Sequence, residues 1–281
     1  MSFHSRRTTG QIVYVGMGLS ISALFVAPIL WTVLASFKPA EEAARPPIPP
    51  WPSEFSVDNY VALNSFGSGI WTHAGNSLTV ALGTVVLTAV VSTLAGYGFS
   101  RFDFSFKNLL FLLIILKMMI PFQSVVTPLF LVLSYMKLQN SLLGLTLVYV
   151  TLQLPFSVFM MRNAFDTVPK EIEEAARMDG CSTFPMLIRI MLPLVVPGLI
   201  TVCIFAFLGS WNEFLGALIL LTDNDLYTLP ILVTAVRSGL YGTIDWGAVQ
   251  AGVTVMMMPC LIIFLLLQRY YMRGLASGAV K

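Results

Sequence analysis

Six stretches of this sequence stay apolar for about the ~20 residues that a helix needs to cross the hydrocarbon core of a bilayer. They lie at 12–36, 78–95, 109–130, 142–161, 191–221 and 248–267. No soluble core has room for so many. The composition agrees: of 281 residues 57% are hydrophobic and 11% charged, whereas a soluble domain carries about 25% charged residues. The same figures exclude a disordered chain, a coiled coil and a disulfide-rich secreted fold. The expected fold is all-α: a polytopic membrane protein with six transmembrane helices, forming one transmembrane domain over 1–281. The first run is too long for the 7–15-residue apolar stretch of a cleavable signal peptide. Polar or kinking residues interrupt two others, Lys117 and Pro121 in the third, Gln153 and Pro155 in the fourth.

Positive charge orients the spans. With the N-terminus in the cytoplasm, the inner segments hold Arg6, Arg7, Arg101, Lys107, Arg162, Lys170, Arg177, Arg189, Arg269, Arg273 and Lys281. The outer ones hold only Lys38, Arg45, Lys137 and Arg237. Both termini are therefore expected to be cytoplasmic. The count also settles the fifth run, which would be roughly 46 Å long as a straight helix against a ~30 Å core. Splitting it into two spans would put Arg269, Arg273 and Lys281 outside. It is read as one crossing with a break near Trp211-Asn212-Glu213, after which the chain curls back or lies at the interface.

The balance of sixteen Lys/Arg against fourteen Asp/Glu, net +2, is too even for a nucleic-acid binder. Cys181, Cys203 and Cys260 are odd in number and far apart, and with only His4 and His73 they make no metal cluster. The outer stretch "RPPIPPWPSEF" resists helix. It fits a stiff connector or a surface for an external partner equally well.

The inner segment 162–190, "RNAFDTVPKEIEEAARMDGCSTFPMLIRI", is the most informative. Pro169 suits the first turn of a helix. Asp166 or Thr167 can cap it, and Glu171, Glu173 and Glu174 favour the positive end of its dipole. Asp179-Gly180 ends it, and Ser182 can cap a second helical piece. Ile172, Ala175 and Ala176 are expected to share one face. That face fits either internal packing or docking to a cytoplasmic partner.

Charges within a bilayer cost at least ~2.5–3.5 kcal/mol on insertion scales, so Lys117 is expected to face the protein interior or a hydrated path. Glu213 would lie ~20 Å from it in depth if both helices are straight, too far for an ion pair. Trp211, Asn212 and Glu213 fit either part of an outer gate or solute-facing platform, or an interfacial anchor. Gln123 and Gln153 are weaker candidates of the same kind.

Glu174-Ala175-Ala176, two residues, Asp179-Gly180, nine residues, then Ile190-x-Leu192-Pro193 resembles the EAA motif of ABC-importer permeases. Ser36–Pro39 "SFKP", Trp211–Phe214 "WNEF" and the tail "RGLASGAVK" look like the carbohydrate-uptake, maltose-type branch, and specifically its second six-span subunit. Cys181 departs from that pattern, where alanine is common. The resemblance implies the type I importer permease fold. It implies a coupling helix seated on an ATPase subunit through Glu173, Glu174, Ala175, Ala176, Met178, Asp179 and Gly180, with a further tail contact through Ser277, Gly278, Ala279, Val280 and Lys281. The implied partners are a second homologous permease, two copies of the ATPase and an extracytoplasmic solute-binding protein, in a prokaryotic plasma (inner) membrane. ATP and Mg would be bound by the ATPase and no cofactor by this chain, which has no Gly-Lys dipeptide and so no Walker A loop. An intramembrane enzyme lacks its motifs here: there is no Gly-x-Ser-Gly and no His-Glu-x-x-His. A secondary transporter would call for inverted repeats and buried acids, and neither stands out.

Overall fold

The structure, a computed structural model, describes residues 3–43 and 51–279. Part of the proline-rich outer segment (Arg45 to Pro50) and the tail residues Val280 and Lys281 lie outside the described residues. Among the described residues there is no strand. The helices are α1 (Phe3–Ser36), α2 (Ala40–Ala43), α3 (Asp58–Ser65), α4 (Ile70–Arg101), α5 (Lys107–Leu116), α6 (Phe122–Tyr135), α7 (Leu142–Asp166), α8 (Lys170–Met178), α9 (Thr183–Met186), α10 (Leu192–Trp211), α11 (Leu215–Leu220), α12 (Leu229–Arg237) and α13 (Trp246–Ala279).

Among the described residues, five helical stretches are long and apolar enough to cross a membrane: Tyr14–Ser36, Ile70–Arg101, Leu142–Asp166, Thr183–Trp211 and Trp246–Gln268. A sixth crossing is available only if α5 and α6 count as one broken span, because the chain turns by 107° between them. The reason is local. Lys117–Met119 tightens into a 3₁₀ turn, and Pro121, extended at φ −66° and ψ 139°, cannot donate the next helical hydrogen bond. The fifth run breaks where its polar triplet stands: α10 ends at Trp211 and α11 begins at Leu215.

The chain gathers into two compact units. In one, Met1–Ile70 joins Val233–Met257. Here the buried Asn59 amide donates to Ser36 O (2.9 Å) and Lys38 O (2.7 Å), satisfying carbonyls left open where α1 ends. The Ser36 hydroxyl meets Tyr60 Oη at 2.8 Å.

The other unit comprises Trp71–Leu232 and Met258–Lys281. Two apolar clusters stand among its described residues. One joins Tyr97, Met161, Phe165, Ala176, Met186 and Met191. The other joins Val80, Leu145, Tyr149, Ala217 and Leu221. Close helix contact comes from small residues, as expected where hydrocarbon gives no hydrophobic drive for association. A side chain on Gly198 would stand 2.7 Å from Ala164 Cβ, joining α10 to α7. On Gly96 it would stand 2.6 Å from Met161 Cβ and 2.8 Å from Arg162 N, joining α4 to α7. The loop before α12 is tied to the start of α4: His73 Nδ1 lies 2.9 Å from Tyr227 O, and Leu229 N donates to Ser77 Oγ at 2.8 Å.

Gly96→Ala is expected to destabilise the fold by about 1–3 kcal/mol, the range for overpacking a close contact. Gly98→Ala, on the same helix with open space around it, should be neutral or slightly stabilising because alanine favours helix. Thermal unfolding in detergent checks this pair, and equal loss of Tm in both variants would contradict it.

Candidate functional site

The segment between the fourth and fifth apolar runs is a helix, a glycine turn and a second helical start. Pro169, with φ −56° and ψ 139°, sits just before α8 rather than within its first turn. Glu171 and Glu173 lie at the helix's positive end and Arg177 in its last turn, a charge order that suits its dipole. Its end is a Schellman closure: Cys181 N donates to Ala176 O at 2.9 Å and Gly180 N to Arg177 O at 3.0 Å. Gly180 takes φ +78° with open space around its Cα.

The two alanines of the motif are parted, which corrects the expected shared face. Ala176 is buried in the cluster with Tyr97 and Phe165, while Ala175 is exposed. The outward stripe is Glu171, Glu174, Ala175 and Met178, at i, i+3, i+4 and i+7. Met178 is 88% exposed, and Ile172 stands at the stripe's edge. Asp179 is also exposed. Glu173 is only 5% exposed, so it and Ala176 face the chain's own helices.

Glu173 is held from three sides. Its carboxylate pairs with Arg101 Nε at 3.1 Å and with Arg177 Nη2 at 3.1 Å, and it accepts a hydrogen bond from Tyr97 Oη at 2.8 Å. Arg101 Nη2 also donates to Phe165 O (2.9 Å) and Val168 O (2.6 Å), capping the carbonyl end of α7. Beside this corner Ser100 Oγ donates to Asp166 Oδ1 at 2.6 Å, and the Arg162 guanidinium lies 3.9 Å from the Phe111 ring centre. Sequence reasoning missed Arg101 and Tyr97. Arg101 counted only as one inner charge, and more than 70 residues separate it from Glu173.

Most of the polar residues of the apolar runs serve the backbone. Pro155 deprives Thr151 of its helical donor, and Lys117 Nζ donates to that freed carbonyl at 2.7 Å. Lys117 also lines a cavity of about 620 Å³ whose other walls include Val91, Leu113, Leu154 and Val158. Glu213 accepts from Tyr149 Oη, from Gly216 N (2.9 Å) and from Ala217 N (3.3 Å), so it caps α11. No ion pair joins it to Lys117. Asn212 Nδ2 donates to Leu208 O at 2.9 Å, at the end of α10. Trp211 is buried and stacks on Phe207 with ring centres 5.5 Å apart. Gln123 is exposed. The Gln153 amide fills the space that Gly209 leaves. Of the tail, α13 carries Ser277, Gly278 and Ala279 as helix. Their side chains lie outside the described residues, as do Val280 and Lys281 entirely.

Residues 89–277 match the family described as binding-protein-dependent transport system inner membrane component. The chain is 35% identical over 263 residues to the arabinooligosaccharides transport system permease protein AraQ of Halalkalibacterium halodurans, covering 93% of each. It is 30% identical over 274 residues to the diacetylchitobiose uptake system permease protein DasC of Streptomyces coelicolor, covering 97% of this chain and 95% of that one. The sulfoquinovosyl glycerol transport system permease protein SmoH of Agrobacterium fabrum is 31% identical over 263 residues, with 94% and 90% covered. In fold the chain is similar to a chain from a bacterial ABC transporter involved in the import of the acidic polysaccharide alginate. The TM-score is 0.80 at 20% identity, over 96% of this chain and 99% of that one.

Gly180→Ala should cost about 1–2 kcal/mol of stability, the strain of a side chain in the left-handed region, since nothing nearby would clash. Gly180→Asn should cost less, and equal Tm values for glycine and alanine would contradict the turn's role. Lys117→Met should cost about 1–3 kcal/mol by orphaning the Thr151 carbonyl. In a Pro155→Ala background, where residue 155 regains its N–H, that loss should shrink. A double-mutant cycle on Tm reads the difference, and additive losses would contradict the pairing.

Proposed function

The chain belongs to the binding-protein-dependent transport system inner membrane component family, and from that membership we propose that it serves an ATP-driven importer of a sugar or sugar-like solute. It works with a second, homologous permease, two copies of an ATPase subunit and an extracytoplasmic binding protein. ATP and Mg reside on the ATPase, and no cofactor is carried by this chain. The sugar class is supported by the relatives named for arabinooligosaccharides, diacetylchitobiose and sulfoquinovosyl glycerol.

The carrying observation is the outward stripe of α8. A short helix presents Glu174, Ala175 and Met178 to solvent while its opposite side is fastened to the chain. Alanine lets another surface approach closely, methionine adapts to an apolar pocket and glutamate offers a carboxylate for a basic partner. This stripe docks in the ATPase. Both termini and α8 then lie in the cytoplasm, in keeping with the excess of Lys/Arg on that side. Closure of the ATPase dimer moves the docked helices and switches the permease pair between inward- and outward-facing states. Transport is by alternating access, biased by the difference in binding to the two states. Along the solute path, Lys117 and Gln123 retain hydrogen-bonding capacity, whereas Glu213 is spent on Tyr149 and α11.

The complex recovered with a tagged chain from native membranes, reconstituted with its binding protein, should take up radiolabelled arabinooligosaccharide or diacetylchitobiose only with ATP inside. Ala175→Trp should lower ATPase co-recovery roughly tenfold or more, the effect of losing about 1.4 kcal/mol of affinity, with the chain still folded. Uptake without ATP, or undiminished co-recovery, would contradict the assignment.

A further inference from the structure

The attachment of α8 to the rest of the chain is built mostly from charge. Of its side chains only Glu173 and Ala176 are buried, and an alanine adds little apolar contact. The Glu173 carboxylate has Arg101 Nε at 3.1 Å on one oxygen, with Tyr97 Oη at 2.8 Å and Arg177 Nη2 at 3.1 Å on the other. Tyr97 and Arg101 both belong to α4, so a long membrane helix grips α8 at two points. The side chains of Arg101 and Glu173 are 4% and 6% exposed, so water and salt screen the pair little. Arg101 reaches in a second direction as well, to Phe165 O and Val168 O at the end of α7. The Nε contact to Glu173 is an ion pair and not a directed hydrogen bond, while Nη2 donates twice to the end of α7. The planar fork of the guanidinium holds these two directions together, so one side chain sets the mutual geometry of α4, the end of α7 and α8. A lysine could supply the charge but not the fork.

We propose that Arg101 and Glu173 are the positioning residues that make α8 and α4 a single rigid lever, so that displacement of the docked helix is imposed directly on a membrane span. The stripe Glu171–Glu174–Ala175–Met178 receives the push, and the Arg101–Glu173–Tyr97 corner passes it on. This rests on the importer reading above. It also separates two neighbouring glutamates by role: Glu174 faces the partner and Glu173 holds the lever.

The test uses the importer complex recovered from native membranes. Nitroxide labels go at Val86→Cys on α4 and Lys170→Cys on α8, both exposed and neither in the stripe nor the corner, with Cys181, Cys203 and Cys260 replaced by serine. Pulsed dipolar spectroscopy reads the 86–170 distance without nucleotide and with ATP and vanadate. In the otherwise wild-type complex that distance should change by less than ~2 Å, the scale of small helix shifts. In Arg101→Lys, which keeps the charge and loses the fork, it should shift by more than that or broaden on adding nucleotide. A nucleotide-dependent change in the parent complex, or none in Arg101→Lys, would overturn the lever. If Arg101→Lys fails to recover the ATPase, the doubly neutral Arg101→Gln with Glu173→Gln leaves no buried charge unpaired. An unchanged distance there, or failure of this variant to assemble as well, would also overturn it. Absence of any ATPase from the parent complex is a separate readout, which would remove the importer reading and this inference with it.

Discussion

Hydrocarbon accepts no hydrogen bonds, so a chain that spans it must pair every backbone N–H and C=O within itself. Regular helix does this without help from side chains. At several departures from helix among the described residues, a polar side chain stands where pairing fails. Pro155 frees the Thr151 carbonyl and Lys117 takes it. The start of α11 exposes the N–H groups of Gly216 and Ala217, and Glu213 accepts both. At the end of α10 the Asn212 amide returns to Leu208 O, and at the end of α7 Arg101 covers Phe165 O and Val168 O. These bends thus depend on a handful of capping contacts.

The same economy shapes the segment 162–190. Arg101 ends α4, caps α7 and pairs with Glu173 on α8, so three helices meet at one guanidinium. What remains outside is a stripe with one small residue, one pliable apolar residue and two carboxylates, on a helix whose end Gly180 fixes. A helix only nine residues long would be marginal alone. Fastened on one side, it becomes a rigid surface on the other, as the proposed docking role requires.

Much of this was legible in the residues. Run length and composition identified an all-helical membrane chain, and the breaks at Pro121 and at Trp211-Asn212-Glu213 were visible because proline and clustered polar groups disrupt apolar helix wherever they occur. The end of α8 at Gly180 was equally plain, since few residues other than glycine tolerate that conformation. Three things were hidden. The size of the 107° turn between α5 and α6 is not given by a proline, which marks a break but not its angle. The rotation of α8, which sends Ala176 inward and Ala175 outward, is set by Glu173 reaching Arg101, a contact between distant parts of the sequence. The capping roles of Lys117 and Glu213 were hidden likewise, because a polar residue in an apolar run looks the same whether it serves a solute or a carbonyl.

The docking role of the outward stripe is tested most directly by photo-crosslinking in native membranes, with a photoreactive amino acid placed in turn at Ala175 and at Ala176. Ultraviolet light should join residue 175 to an ATP-binding subunit, and residue 176, buried against the chain's own helices, should give no such adduct. Adducts from residue 176 but not 175, or no ATPase adduct from residue 175, would contradict the assignment of α8 as the surface through which ATP drives this permease.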